Sequence, residues 1–314
     1  MRSESLRRAA WCGLQDSMPR AALLSIHARI AGTGPAAWEH RSLIQLWGPR
    51  FSAYVVAAKD LPLFSLGRLP EDARGLARAH HTASRLHTFL DGRKMPFGQA
   101  GHGMGVPHNS LRYAAPTGRV LLRWEGARQP VVWTQPAPNM APRDARLELA
   151  RRYLHVFGPT TAASFAEWAG ISPAAALAAF EALHPALTPV RTPIGDAWIL
   201  ADDEPAFRAP PGPAAPARLL PSGDAYYLLW GADRELLVPN AKRRAALWTS
   251  RVWPGALLVH GEIVGVWRRT AGEIAIEAWR RLSSSEREAA EAEAMSLPLP
   301  GLEGPVVVHF RSPA

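Results

Sequence analysis

Five histidines fall between residues 80 and 108, namely His80, His81, His87, His102 and His108. Imidazole is the commonest metal ligand, so this set invites a metal reading. Its spacing matches no zinc motif, and no His-Glu-x-x-His occurs in the chain, so no metal and no other cofactor is expected. The glycine-rich stretch FGQAGHGMGVPH (97–108) lacks the Gly-Lys-Ser/Thr ending of a phosphate-binding loop and is expected to be a flexible loop. One cysteine, Cys12, excludes an internal disulfide and a cysteine zinc site. That leaves the polar triplet Gln15-Asp16-Ser17, just ahead of an apolar stretch that begins near Arg20. Its plain reading is helix capping, with Ser17 as N-cap and Asp16 as a charge favourable to a helix N-terminus.

The other chemistry-bearing type is arginine. Lys+Arg total 36 against 27 Asp+Glu, a formal charge of +9, and only Lys59, Lys94 and Lys242 are lysines. Guanidinium groups suit phosphates and base edges, and a basic balance favours a polyanionic partner. A GC-rich genome would also raise Arg, Ala and Pro together. Arg29, Arg41 and Arg50, the run Lys242-Arg243-Arg244 and the pair Arg268-Arg269 are the candidate phosphate contacts, with solvated faces as the plain alternative.

Such residues need a scaffold. The chain has 314 residues, 47% hydrophobic and 20% charged, which is a globular composition sufficient for several domains. No apolar run reaches 18 residues and no apolar core follows Met1-Arg2-Ser3-Glu4, so a soluble, cytoplasmic protein without a membrane anchor is expected. The clearest unit spans Pro142 to Leu200. Arg143 to Phe157 has apolar residues at helical spacing and stops at Gly158-Pro159; Thr160 or Thr161 can cap a second helix ending at Gly170; Ser172-Pro173 opens a third to His184. Two short β segments follow, Leu187 to Thr192 and Ala197 to Leu200, which completes the order of a winged helix-turn-helix. The third helix is poor in polar residues, so it reads few bases or packs instead.

A similar order is expected at about 70–135. It comprises helices Glu71–His80 and Thr82–Leu90, a short helix at 107–113, and a hairpin over 118–133 with Trp124 and Trp133 as cross-strand partners around Glu125-Gly126-Ala127-Arg128. The start of the chain gives helices at 20–30 and 36–46 and a strand at 51–56. Residues 201–217 carry six prolines and are expected to be a linker. A β-rich part follows, with a hairpin turning at His260-Gly261 and a surface helix opened by a capping-box spacing at Ser283–Glu286.

Six segments in order (13–29, 43–64, 117–133, 148–171, 219–230 and 257–269) resemble the bacterial winged-helix family of AlkZ- and YcaQ-type DNA glycosylases. The resemblance implies an α+β chain of three tandem winged helices, 1–69, 70–138 and 139–204, and a β-barrel-like C-terminal subdomain, 205–314, curved around DNA. It implies a monomeric, nucleoid-associated bacterial repair hydrolase. The partner would be double-stranded DNA with alkylated bases, including N7-guanine adducts of interstrand crosslinks, released by hydrolysis of the N-glycosidic bond. The family's Gln-x-Gln signature falls on Gln15-Asp16-Ser17, the candidate catalytic residues; the first Gln is kept, Ser17 replaces the second, and Asp16 stands at the usually apolar middle position. The other functional classes compatible with the residues are a non-catalytic winged-helix regulator or lesion-protection factor, and a fold used for protein association.

Overall fold

The computed structural model describes residues 2–18, 20–126, 128–270, 272–299, 304 and 306–311. Pro19 of the expected turn before the second helix and Ala127 of the expected hairpin turn lie outside the described residues. The N-terminal part runs α1 (Ser3–Ala9), β1 (Leu14–Gln15), α2 (Ala21–His27), β2 (Leu43–Trp47) and β3 (Ala53–Ala57). All five residues of β3 are buried, as expected of a strand with protein on both faces. The helix expected at 36–46 is instead a short 3-10 turn, Ala37–Glu39, followed by β2. Five residues of β2 pair with β3, and this long-range ladder overrides a local pattern that reads equally well as helix.

Next come α3 (Leu61–Ser65), α4 (Ala73–Leu90), β4 (Met95–Pro96), α5 (Phe97–Gly103), β5 (Val120–Arg123) and β6 (Val131–Thr134). The two helices expected between 71 and 90 are one, capped by Asp72, whose Oδ1 accepts from Gly75 N at 2.7 Å. No breaker separates His81 from Thr82. The glycine-rich stretch is helical over α5 instead of a loop. Its glycines are a packing device: a Cβ at Gly101 would lie 2.6 Å from His108 Cα, and one at Gly103 would collide with the Phe89 ring. In the β5–β6 hairpin Trp133 faces Leu121, not Trp124, because Trp124 stands one residue beyond β5.

β1 to β6 form one sheet in the order β1-β3-β2-β5-β6-β4. The first two units expected from sequence are thus joined through β2 and β5, where Gln45 faces Leu122. The segment 142–200 folds as α6 (Pro142–Phe157), α7 (Ala162–Ala169), α8 (Pro173–Leu183) and the hairpin β7 (Leu187–Thr192) and β8 (Gly195–Leu200). Thr161 caps α7, Gly170 ends it in the left-handed region at φ 68°, and Ser172 caps α8.

The expected linker contains a short helix, α9 (Glu204–Arg208). After it come β9 (Ala217–Leu220), α10 (Asp233–Leu237), α11 (Ala241–Leu247), β10 (Gly255–Val259), β11 (Glu262–Thr270), β12 (Glu273–Ala278), α12 (Ser284–Ser296) and β13 (Val307–Arg311). These strands form a second sheet in the order β13-β12-β11-β10-β9. Its β10–β11 turn places both His260 and Gly261 at positive φ, 50° and 87°, which suits the right-handed twist of a two-residue hairpin. α12 has the full Ser283–Glu286 capping box, and it buries Ala290 and Ala294 against this sheet. Among the described residues no helix is long and apolar enough to cross a membrane, and no group of three or more His, Cys, Asp and Glu could hold a metal ion.

Candidate active site and nucleic-acid interface

β1 is only two residues long, but its pairing with β3 sets the direction of the whole Gln15–Ser17 segment. Successive side chains of extended backbone point to opposite sides. Gln15 and Ser17 therefore share a face, and the Gln15 amide Nε2 donates to Ser17 Oγ at 3.3 Å. Asp16 points the other way and is 1% exposed. Its Oδ1 accepts from Ala22 N at 3.0 Å and its Oδ2 from Gln45 Nε2 at 2.7 Å. Gln45 Oε1 in turn accepts from Trp124 N at 2.7 Å. Burial pushes the Asp16 carboxyl up to about 7, against the Ala22 and Gln45 hydrogen bonds and the Arg20 charge that favour its ionised form. The catalytic role expected for Asp16 is thus not matched by its position: it ties the first turn of α2 to the sheet and lines none of the groove cavities described below. The helix-capping reading of this residue is the one the geometry supports.

Gly223 fixes Gln15 from behind. It has φ 75°, and a Cβ there would sit 3.0 Å from Gln15 Cδ. Gly223→Ala is expected to strain the turn and push the amide off Ser17. Sub-ångström placement errors of reacting groups are costly, so a tenfold to hundredfold loss of turnover, on the order of that seen for small misplacements, is expected. Comparing rate with duplex affinity for this variant checks it.

Three cavities meet around this segment. The first, about 250 Å³, is lined by Gln15, Ser17, Ser52, Tyr54, Trp168, Trp230, Trp253 and neighbours. The second, about 580 Å³, lies beyond a ridge made of Ser17, Arg50 and Ser52, which line both. The third, about 440 Å³, adjoins the first through Met18, Ser222, Val252 and Trp253. Arg20, Arg50, Arg112, Arg128, Arg251, Arg268 and Arg269 line this continuous groove, and no Asp or Glu does. A concave surface of one sign concentrates field lines and draws a polyanion.

The ridge is held in an unusual backbone conformation. Arg50 and Phe51 both lie in the left-handed region, at φ 55° and 57°, although neither is glycine. Such residues cost on the order of 1–3 kcal/mol each and persist where packing over-determines them. Here a Cβ at Gly48 would be 2.8 Å from the Tyr54 ring and one at Gly170, past the end of α7, would be 3.1 Å from Arg50 N. The Arg50 guanidinium stacks on Trp230 at 3.5 Å from the ring centre. The indole N–H groups of Trp168 and Trp230 are buried with no hydrogen-bond partner among the described residues.

The structure separates the other arginines expected to contact DNA. Arg50, Arg268 and Arg269 line the groove, and all three are exposed. Arg29 is committed elsewhere: it forms a two-pronged pair with the fully buried Asp224, at 2.7 and 2.8 Å, and also donates to Ser25 O. A DNA contact would require breaking that pair. Arg244 donates to the carbonyls of Val238 and Pro239, so its charge serves the turn before α11. Lys242 and Arg243 on α11, and Arg41, are exposed but line none of the three cavities. Sequence reasoning missed Arg20, Arg112, Arg128 and Arg251. Each is an isolated arginine, and no local pattern separates it from the many others.

A family model described as DNA glycosylase AlkZ-like matches residues 9–298. No curated protein matches the chain. Among solved structures, the DNA glycosylase AlkZ of Streptomyces sahachiroi has a similar fold, with a TM-score of 0.76 over 99% of this chain and 94% of that one, at 18% sequence identity.

Proposed function

Because this chain belongs to the AlkZ-like DNA glycosylase family, we propose that it is a monofunctional glycosylase acting on bulky N7-alkylated guanines in duplex DNA, crosslinked ones included. An N7-alkylguanine already carries a positive charge. It leaves with the electron pair of the C1′–N9 bond and becomes neutral, so no acid is needed. What remains is to place a water at C1′ and to tolerate an oxocarbenium-like sugar. The observation that supports this reading is the convergence of Gln15 and Ser17 on the wall of an arginine-lined groove. With its Nε2 turned to Ser17, the Gln15 amide keeps Oε1 as acceptor for one proton of the water. Ser17 Oγ has a second lone pair for the other. Arg268 and Arg269 would hold the duplex backbone, and α6 to β8 would act as one of the tandem winged helices that the family resemblance implies.

The test is a duplex carrying 7-methylguanine or an N7–N7 crosslink, incubated with the protein and then heated or treated with alkali to break abasic strands. A second reading, a non-catalytic lesion-protection or regulatory protein, is favoured by one observation: no carboxylate lines the groove cavities. Tight lesion binding with no base released at stoichiometric protein would select it.

Phosphate contacts are checked by salt. Each phosphate neutralised adds roughly 0.9 to the slope of log affinity against log salt. Arg268→Ser and Arg269→Ser are each expected to reduce that slope by about one. Lys242→Ser, outside the groove, leaves it unchanged.

A further inference from the structure

Gln15 lines only the smaller of the two cavities that meet at the Ser17–Arg50–Ser52 ridge. When hydrolysis at C1′ proceeds by displacement, water and departing base occupy opposite faces of the sugar. A deoxyribose seated on the ridge with its water toward Gln15 therefore aims its base across the ridge. We propose that the larger cavity is a nucleobase pocket that receives the alkylated purine extruded from the duplex; this rests on the reading of Gln15 and Ser17 as the water-holding pair.

The larger cavity has the chemistry for such a ligand. Its 580 Å³ lies within the range of small-molecule sites and leaves room for a substituent on the base. Trp47 and Phe97 are buried at its floor with ring centres 5.1 Å apart. Trp124 is fixed as a flat wall because its indole N–H donates to Gly126 O at 2.7 Å and Arg128 O at 3.1 Å. Aromatic faces are electron-rich and attract a cationic ring. Arg112 Nε is buried with no partner among the described residues, which supplies a donor for a purine carbonyl. Asn109 adds an amide at the exposed edge. On cleavage the C1′–N9 bond breaks and its electron pair neutralises the purine. The water oxygen bonds to C1′, and one water proton passes to solvent.

The experiment compares affinity for a duplex containing a non-hydrolysable 2′-fluoro analogue of 7-methyldeoxyguanosine with affinity for the same duplex undamaged. Asn109→Trp, on the exposed rim, fills the cavity mouth without disturbing the core; Arg112→Leu removes the donor. The lesion preference is expected to fall at least about tenfold in Asn109→Trp and about fivefold or more in Arg112→Leu, the latter on the order expected for one lost buried hydrogen bond. Affinity for undamaged duplex stays the same. A preference that survives both variants, or that is lost only in Trp230→Ala in the smaller cavity, overturns the proposal. Failure of the wild-type protein to release base from any N7-alkylated duplex would overturn the functional reading instead, and the two results are read in separate assays.

Discussion

Replacing Gln15 with Ala lowers the single-turnover rate of 7-methylguanine release about a hundredfold, the order seen when one positioned hydrogen-bonding group is removed from a reacting centre. Duplex affinity stays nearly constant, because Gln15 carries no charge and touches one wall of a groove held mainly by arginines. Ser17→Ala has a smaller effect, since it removes both the Gln15 anchor at 3.3 Å and the second acceptor but leaves the amide in place. The pH profile separates this pair from Asp16. Burial raises the Asp16 carboxyl to about 7. Were Asp16 the base, release would fall about tenfold per unit below pH 7 as it took up a proton. With Gln15 and Ser17 holding the water, no group in the cavity titrates and the rate stays level from pH 8 to pH 5.5. Full activity in Gln15→Ala, or a profile that falls below pH 7, would sink the assignment.

Asp224→Ala is expected to destabilise the protein by about 3 kcal/mol, the lower end of the cost of breaking a buried ion pair from one side. Asp224 is fully buried and accepts from both terminal nitrogens of Arg29, from Ser25 Oγ at 2.6 Å and from Tyr226 N at 2.9 Å. Truncation leaves the guanidinium without its counter-charge and a hydroxyl without its acceptor. The pair joins α2, which follows the Gln15–Ser17 segment, to the turn after β9 that contains Gly223. Urea denaturation measures the loss. The pH dependence has a definite sign. Arg29 and its companions hold the Asp224 carboxyl below its ordinary value, so its stabilisation is fully present above about pH 4 and fades as pH falls toward the lower folded value. The Asp224→Ala protein is expected to lack that part of the acid sensitivity.

Caps and turns were legible because their chemistry is local. Thr161, Gly170, Ser172, Ser283 and His260-Gly261 each fulfil the role their type suggests. The pairing of β2 with β5 was not legible, since Gln45 and Leu122 meet across a stretch that contains all of α4 and α5. Nor was the helix at 97–103: its glycines are explained by His108 and Phe89, neighbours that only the folded chain brings near. In the candidate site, the split between Asp16 and its two neighbours follows from alternation along extended backbone, which the triplet itself does not announce. Arg29 looked like a free cation because its partner stands at position 224, while the groove arginines come from parts of the chain as distant as Arg20 and Arg269.

The arginine stacks bear on how such a chain can drift. Arg20 and Arg123 both lie on the Trp38 ring, at 3.7 and 3.6 Å, Arg50 lies on Trp230, and Arg152 lies on Trp11 at 3.8 Å. A flat, weakly hydrated guanidinium can do this; a compact ammonium cannot do it as well. Mutational pressure toward A and T favours lysine codons over many arginine codons. In a descendant under that pressure, exposed and unstacked arginines should exchange first, and those on Trp11, Trp38 and Trp230 last. The codons that resist would then mark, in a set of diverging descendants, which cations are part of the scaffold and which only colour its surface.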